Sequence, residues 1–142
     1  MPNRPAIKPS APVIAFGGAN MDLKCRISRA AIPAPSNPGD IAVMPGGVAR
    51  NMAETLARLG LTTILIAAIG RDALGERLLA ETRAAGVDMK SVLRGRFATG
   101  GYAAVLNHEG ELLIGVADMA ATRRLTPAVL RRTQSQLRRA RA

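Results

Sequence analysis

The sequence predicts an α/β fold. Two helical patterns with glycine at their ends, at 46–60 and 73–86, alternate with short apolar runs of strand length at 13–18 and 62–69. Apolar residues make up 48% of the chain but aromatics only 2%, with no tryptophan. A core therefore has to be assembled from Ala, Leu, Ile and Val, which suits helices layered on a sheet. The 142 residues suit one domain with ample core.

Residues 1–12, MPNRPAIKPSAP, hold four prolines and no apolar periodicity, and predict a flexible lead-in without the apolar stretch of a signal sequence. VIAFGG at 13–18 predicts a buried strand over 13–17. A helix follows over 47–59. At 100° per residue Val48, Ala49, Met52, Ala53, Leu56 and Leu59 share one apolar stripe, expected to face the core, with Arg50, Glu54 and Arg58 opposite in solvent. Gly60 stands at the C′ position, and Glu54 precedes Arg58 by four, the favourable order for an ion pair. A strand is predicted over 62–69 and a helix over 73–85, with Asp72 as N-cap, Gly86 as C′ residue, and Leu74 and Leu78 facing inward. Strand-like runs at 101–106 and 111–117 flank the turn NHEG, which makes the sole histidine, His108, a turn residue without a catalytic role. Thr126-Pro127, an N-cap followed by Pro at N1, opens a last helix.

Two places carry candidate chemistry. Gly46 and Gly47 leave the first amides of the 47–59 helix unobstructed at the positive end of its dipole, where hydroxyls or anions dock. Asn51, in the first turn, offers a donor and an acceptor to a ligand over that end. The same residues also fit a plain tight turn with a solvated Asn51. Asn20 and Asp22 follow the first strand, where ligands of open α/β sheets sit, and share one side of an extended chain. That pairing suits neighbouring hydroxyls of a polyol; an Asx turn is the plainer alternative.

GGANMDL at 17–23, PGD at 38–40, PGGVARNMAETLARLG at 45–60, IGRDALGERLL at 69–79 and AAGVD at 84–88 stand in the order and spacing of the PfkB, or ribokinase-like, carbohydrate kinases. The chain resembles the amino-terminal half of such a kinase over about 13–130. The GGVARN form and TGGYAAVLNHEGELLIGVADM at 99–119 are most similar to its pseudouridine kinase branch. The resemblance implies part of a three-layer fold with a mostly parallel sheet, over 13–130, and a small β-strand lid at about 23–44 and 96–117. It implies sugar binding by Asn20, Asp22, Gly46, Gly47 and Asn51, with Tyr102 and Asp118 as further substrate candidates from the lid or its base. Tyr102 equally fits a packing role. In the intact family ATP and Mg²⁺ serve transfer of the γ-phosphate to a sugar hydroxyl, and the lid contributes to homodimers.

The departure lies in the catalytic half. Family kinases are about twice this length, and their second half carries a Gly-Ala-Gly-Asp motif whose Asp is the general base. No such motif occurs here, since Gly39-Asp40 and Gly70-Arg71-Asp72 belong to other elements. Without base, anion hole or nucleotide site the main contributions to phosphoryl transfer are missing, so the chain alone is expected to be inactive, with no cofactor of its own. A second polypeptide supplying the ATP half is one expectation. A non-catalytic binding module or truncated remnant is the other.

Net charge is +10, and residues 119–142 hold seven arginines and no acid. This basic tail, 131–142 at its end, could neutralise nucleic-acid phosphates. It has no aromatic residue for stacking and spreads its arginines over several helix faces, which argues against a nucleic-acid partner and for a solvated helix. The single cysteine, Cys25, excludes an internal disulfide and predicts a cytoplasmic protein and no metal cluster. No apolar run reaches the roughly 18 residues of a membrane helix.

Overall fold

The computed structural model of the chain describes residues 11–33 and 35–140, so most of the lead-in expected over 1–12 and the last two residues of the tail lie outside the described residues. Strand β1, Val13–Phe16, leads through Gly17–Ala19 into β2, Asn20–Ile27, and β3, Gly39–Gly46. Helix α1, Val48–Arg58, is followed by β4, Thr63–Ile66, β5, Ala68–Gly70, and helix α2, Ala73–Ala84. Then come β6, Leu93–Gly95, β7, Gly100–Leu106, and β8, Leu112–Asp118. A 3-10 turn at Ala120–Arg124 precedes the short helices α3, Pro127–Arg132, and α4, Gln134–Leu137.

The apolar run at 62–69 forms two strands, because the chain changes partner along its length. β4 pairs in parallel with β1, from Val13 opposite Thr63 to Phe16 opposite Ile66. β5 pairs in parallel with β6, a strand that no pattern in the sequence announced. A bridge between Ile64 and Asp88 carries the ladder from one pair towards the other. Leu65, Ile66 and Ile69 on these strands and Leu78 on α2 have no measurable exposure. Such continuous burial is what helix-covered parallel strands require.

The other sheet is mixed, in the order β3-β2-β7-β8. Its outer pairs are antiparallel and its central β2–β7 pair is parallel. These strands fall in the two stretches expected to form a lid, and extend beyond them to Asn20, Gly46 and Asp118.

α1 turns only part of the expected stripe inward. Ala49 and Ala53 are buried, whereas Val48, Met52 and Leu59 are 77%, 57% and 59% exposed. The reason is the closeness of the contact: a Cβ added to Gly17 would stand only 3.2 Å from the Ala49 Cβ. Larger side chains cannot enter this interface, so they lie outside it. Arg50, expected in solvent, is buried. In α2, Leu78 and Leu79 are buried but Leu74 is 45% exposed, so one of the two leucines expected inside lies outside. Gly60 and Gly86 take positive φ after their helices, as C′ residues do. Pro127 opens α3 as expected, yet the Thr126 side chain makes no capping bond. Ser91 Oγ donates to Gln136 Oε1 at 2.7 Å and ties α4 to the segment before β6.

Asp72 does more than cap α2. Its Oδ1 accepts from the Gly75 amide and the Thr99 hydroxyl, both at 2.7 Å, and its Oδ2 accepts from the Thr99 amide at 2.7 Å. Burial by itself would raise the carboxyl pKa. The hydrogen bonds from Thr99 and Gly75, with the Arg94 charge, outweigh it and hold the group below its ordinary value. A lowered folded-state pKa contributes stability that is fully present above the unfolded carboxyl pKa of about 3.9 and is lost as pH falls through the lower folded value. Asp72→Asn is expected to cost about 1 kcal/mol at neutral pH. Urea denaturation at pH 7 and pH 3 should show the difference from wild type shrinking on acidification, and a constant difference would contradict it.

Candidate functional site

The parallel register of β2 and β7 assembles the site. Asn20 pairs with Gly100 and Asp22 with Tyr102, so all four lie on one face of the mixed sheet. On the other side of β2, Gly46 pairs with Asn20. The chain then turns at Gly47, which has φ +97°, and enters α1 directly beside that face. The result is a cleft of about 460 Å³ lined by Asn20, Asp22, Gly47, Asn51 and Tyr102. Its size falls in the range of small-molecule sites.

The glycines have steric tasks here. A Cβ on Gly47 would stand 2.5 Å from the Gly18 carbonyl oxygen and 2.7 Å from the Ala19 Cα. A Cβ on Gly46 would overlap the Asp22 carboxylate. Gly46 therefore lies behind Asp22 and makes room for it, while Gly47 is exposed to the cleft. No side chain caps α1. Its positive end borders the cleft at Gly47 and Val48, a setting that favours electron-rich ligand atoms.

Hydrogen bonding orients both amides. Asn20 is buried, and its Nδ2 donates to Asp22 Oδ1 at 2.6 Å, leaving Asp22 Oδ2 for a ligand. Arg50 Nη1 donates to Asn51 Oδ1 at 2.9 Å. Because a guanidinium only donates, the Asn51 oxygen faces it and the amide NH₂ is left to donate into the cleft. The site thus sets a carboxylate acceptor against an amide donor across one opening, a pairing whose chemistry matches adjacent hydroxyls.

Arg50 itself is held from several sides. Besides Asn51 it donates to Thr82 Oγ1 at 3.1 Å and to the Pro45 carbonyl at 3.3 Å, and it pairs with Glu54. It links α1 to α2 and to the end of β3 behind the site. Glu54 also binds Arg58, at 2.6 Å, so a single carboxylate stands between two arginines.

Not every candidate reaches the cleft. Asp118 pairs with Gly101, which points to the opposite face from Tyr102, and its Oδ1 accepts from the Ala120 amide at 3.0 Å. It starts the 3-10 turn and stands outside the cleft. Sequence reasoning missed Gly18, Val48, Met119 and Thr122, which complete the lining. Val48 was assigned to the core, and residues 119–124 carried no signal beyond their basic charge.

A family profile described as pfkB family carbohydrate kinase matches residues 10–139. The chain is 37% identical over 120 residues to the pseudouridine kinase of Escherichia coli (strain K12), a match covering 83% of this chain and 38% of that protein. It is 33% identical over 132 residues to the pseudouridine kinase of Arabidopsis thaliana, covering 92% of this chain and 34% of that one. The chain therefore spans little more than a third of the length of these relatives. Its fold superposes on the ribokinase of Giardia lamblia with a TM-score of 0.73 at 21% identity, covering 92% of this chain and 40% of that one. The architecture is ribokinase-like.

The several acceptors of Arg50 give a test of the scaffold behind the cleft. Arg50→Lys keeps the charge but cannot span them all, and is expected to cost about 2 kcal/mol. An unchanged urea midpoint in this variant would show that the network carries no weight.

Proposed function

The chain belongs to the pfkB family of carbohydrate kinases, and we propose that it is the substrate-binding portion of an ATP-dependent kinase acting on a hydroxyl of a sugar or nucleoside such as pseudouridine. The observation that carries this reading is the convergence of the Asn20–Asp22 pair on Asn51 across one cleft. Asp22 Oδ2 accepts from one substrate hydroxyl, the Asn51 amide donates to its neighbour, and Gly47 lets the ligand approach the start of α1.

The phosphoryl donor, ATP with Mg²⁺, is not fitted by the residues present. The chain has no Gly-Ala-Gly-Asp segment. Phosphoryl transfer rests on positioning and charge stabilisation at the transferred group, so no transfer step is assigned to these residues. In this reading residues 13–130 supply substrate binding, and phosphoryl transfer requires a Gly-Ala-Gly-Asp segment that they do not contain.

Calorimetric titration of pseudouridine, ribose, fructose 6-phosphate and ATP into the full chain, with Asp22→Ala as control, tests this. Binding of a nucleoside or sugar that vanishes in the control, without ATP binding, is the expected result. A folded sample that binds none of them, but binds RNA in a salt-dependent way, would favour a non-catalytic module using its exposed arginines.

The outer surface of the mixed sheet supports pairing of two copies. Ile41 on β3 and Ile114 and Val116 on β8 are 69%, 58% and 64% exposed, share the face opposite Tyr102, and lie on edge strands. Sedimentation of wild type as a dimer and of Val116→Lys as a monomer is expected, and a monomeric wild type would remove this part of the proposal. Among the described residues no helix is long and apolar enough to cross a membrane. A cytoplasmic setting, with ATP at hand, accords with the proposed role.

A further inference from the structure

The position of Tyr102 in the cleft depends on a residue of the neighbouring strand. Tyr102 pairs with Ala117 and Ala104 pairs with Gly115, so Gly115 is the diagonal neighbour of Tyr102 on the same face of the sheet. A Cβ placed on Gly115 would stand 2.6 Å from the Tyr102 hydroxyl and 3.1 Å from the ring atoms Cε2 and Cζ. The backbone does not call for glycine there, since the positive-φ glycines are Gly17, Gly47, Gly60, Gly86 and Gly110. Glycine inside a strand also weakens it, and a close approach is a usual reason for its presence. At this position the missing side chain makes room for the far end of the Tyr102 ring.

With a Cβ at 115 the tip of the ring has to lift off β8. The open volume it would move into is the cleft, which Tyr102 lines together with Asp22 and Asn51. We infer that Gly115 is a specificity-determining residue: by seating Tyr102 on β8 it keeps the cleft wide enough for a sugar that carries a planar base, a nucleoside. The inference rests on the substrate-site reading proposed above and narrows it. The polar bonds around the cleft join Asn20 to Asp22 and Arg50 to Asn51, and the Tyr102 hydroxyl takes part in neither. A seated ring with a free hydroxyl offers apolar area and a hydrogen bond side by side, which a base with carbonyl and N–H edges uses together. A bare pentose is held at Asp22 and Asn51 and does not need that width.

Tyr102 is the only tyrosine and the chain has no tryptophan, so tyrosine emission from the full chain reports this ring alone. Acrylamide quenching of that emission in wild type, Gly115→Ala and Gly115→Val reads the seating without any ligand, and rising quenching with side-chain size is expected. By calorimetry, Gly115→Val is expected to weaken pseudouridine about tenfold or more while ribose changes by less than about twofold, the scale of a filled methylene-sized space. The affinity loss caused by Gly115→Ala should be smaller in a Tyr102→Phe background, because the hydroxyl is the nearest atom. Unchanged quenching in Gly115→Val overturns the seating. Raised quenching with equal effects on both ligands, or none, overturns the specificity role. A wild-type chain that binds neither ligand sinks the substrate reading and the specificity role with it, and the quenching series then still shows whether Gly115 seats the ring.

Discussion

Two backbone segments cross almost in contact where Gly17–Ala19 passes Gly46–Gly47, and the arrangement of the site depends on that crossing. Gly47 leaves no room for a Cβ against Gly18 and Ala19, and Gly46 leaves none against Asp22. The Arg50 amide donates to the Gly18 carbonyl at 3.3 Å, which fastens the first turn of α1 to the link between β1 and β2. Because β2 begins one residue after that link, the crossing sets the distance between Asn20 and Asp22 on the strand and Asn51 on the helix. The glycines at this point act through the space they leave, and the ligand-facing geometry is a consequence.

A closely approached helix needs small residues beneath it, and this redistributes the side chains of α1. Ala49 and Ala53 occupy the interface, and the long side chains are displaced from it. Arg50 runs behind the cleft to Thr82 and Pro45. A buried guanidinium is costly unless its donors are met, and here Thr82, Pro45, Asn51 and Glu54 meet them. The charge is thereby used to hold three elements in register around Asn51. Val48 and Met52, displaced outward, form an apolar surface that continues the wall of the cleft along α1.

The mixed sheet contributes through parity. Its parallel central pair places Asp22 beside Tyr102, and its antiparallel outer pair places Gly115 diagonally beneath the ring. The same alternation sends Asp118 to the other face. A carboxylate and an aromatic ring that look equally eligible along the chain are thus separated by a shift of one residue.

Local patterns determined a large part of this protein. The Asp72 cap, the positive-φ positions Gly60 and Gly86, the Pro127 helix start, the limits of α1 and α2 and the β7–β8 turn all follow from interactions between residues a few positions apart. Asn20, Asp22, Gly47 and Asn51 stood out as candidates at a strand end and a helix start, where a tight turn and an Asx turn fitted as well, and the family resemblance singled them out; that they line one cleft is a tertiary fact. The tertiary structure decided which part of the α1 stripe is buried, where Ala49 packs closely against Gly17, far away in sequence. It alone gave Arg50 its partners in α2, divided the 62–69 run between β1 and β6, and brought Met119 and Thr122 to the cleft. The seating of Tyr102 by Gly115 is of this kind too: close packing between strands is fixed by register and excluded volume, and neither is written in the spacing of residues along a single strand.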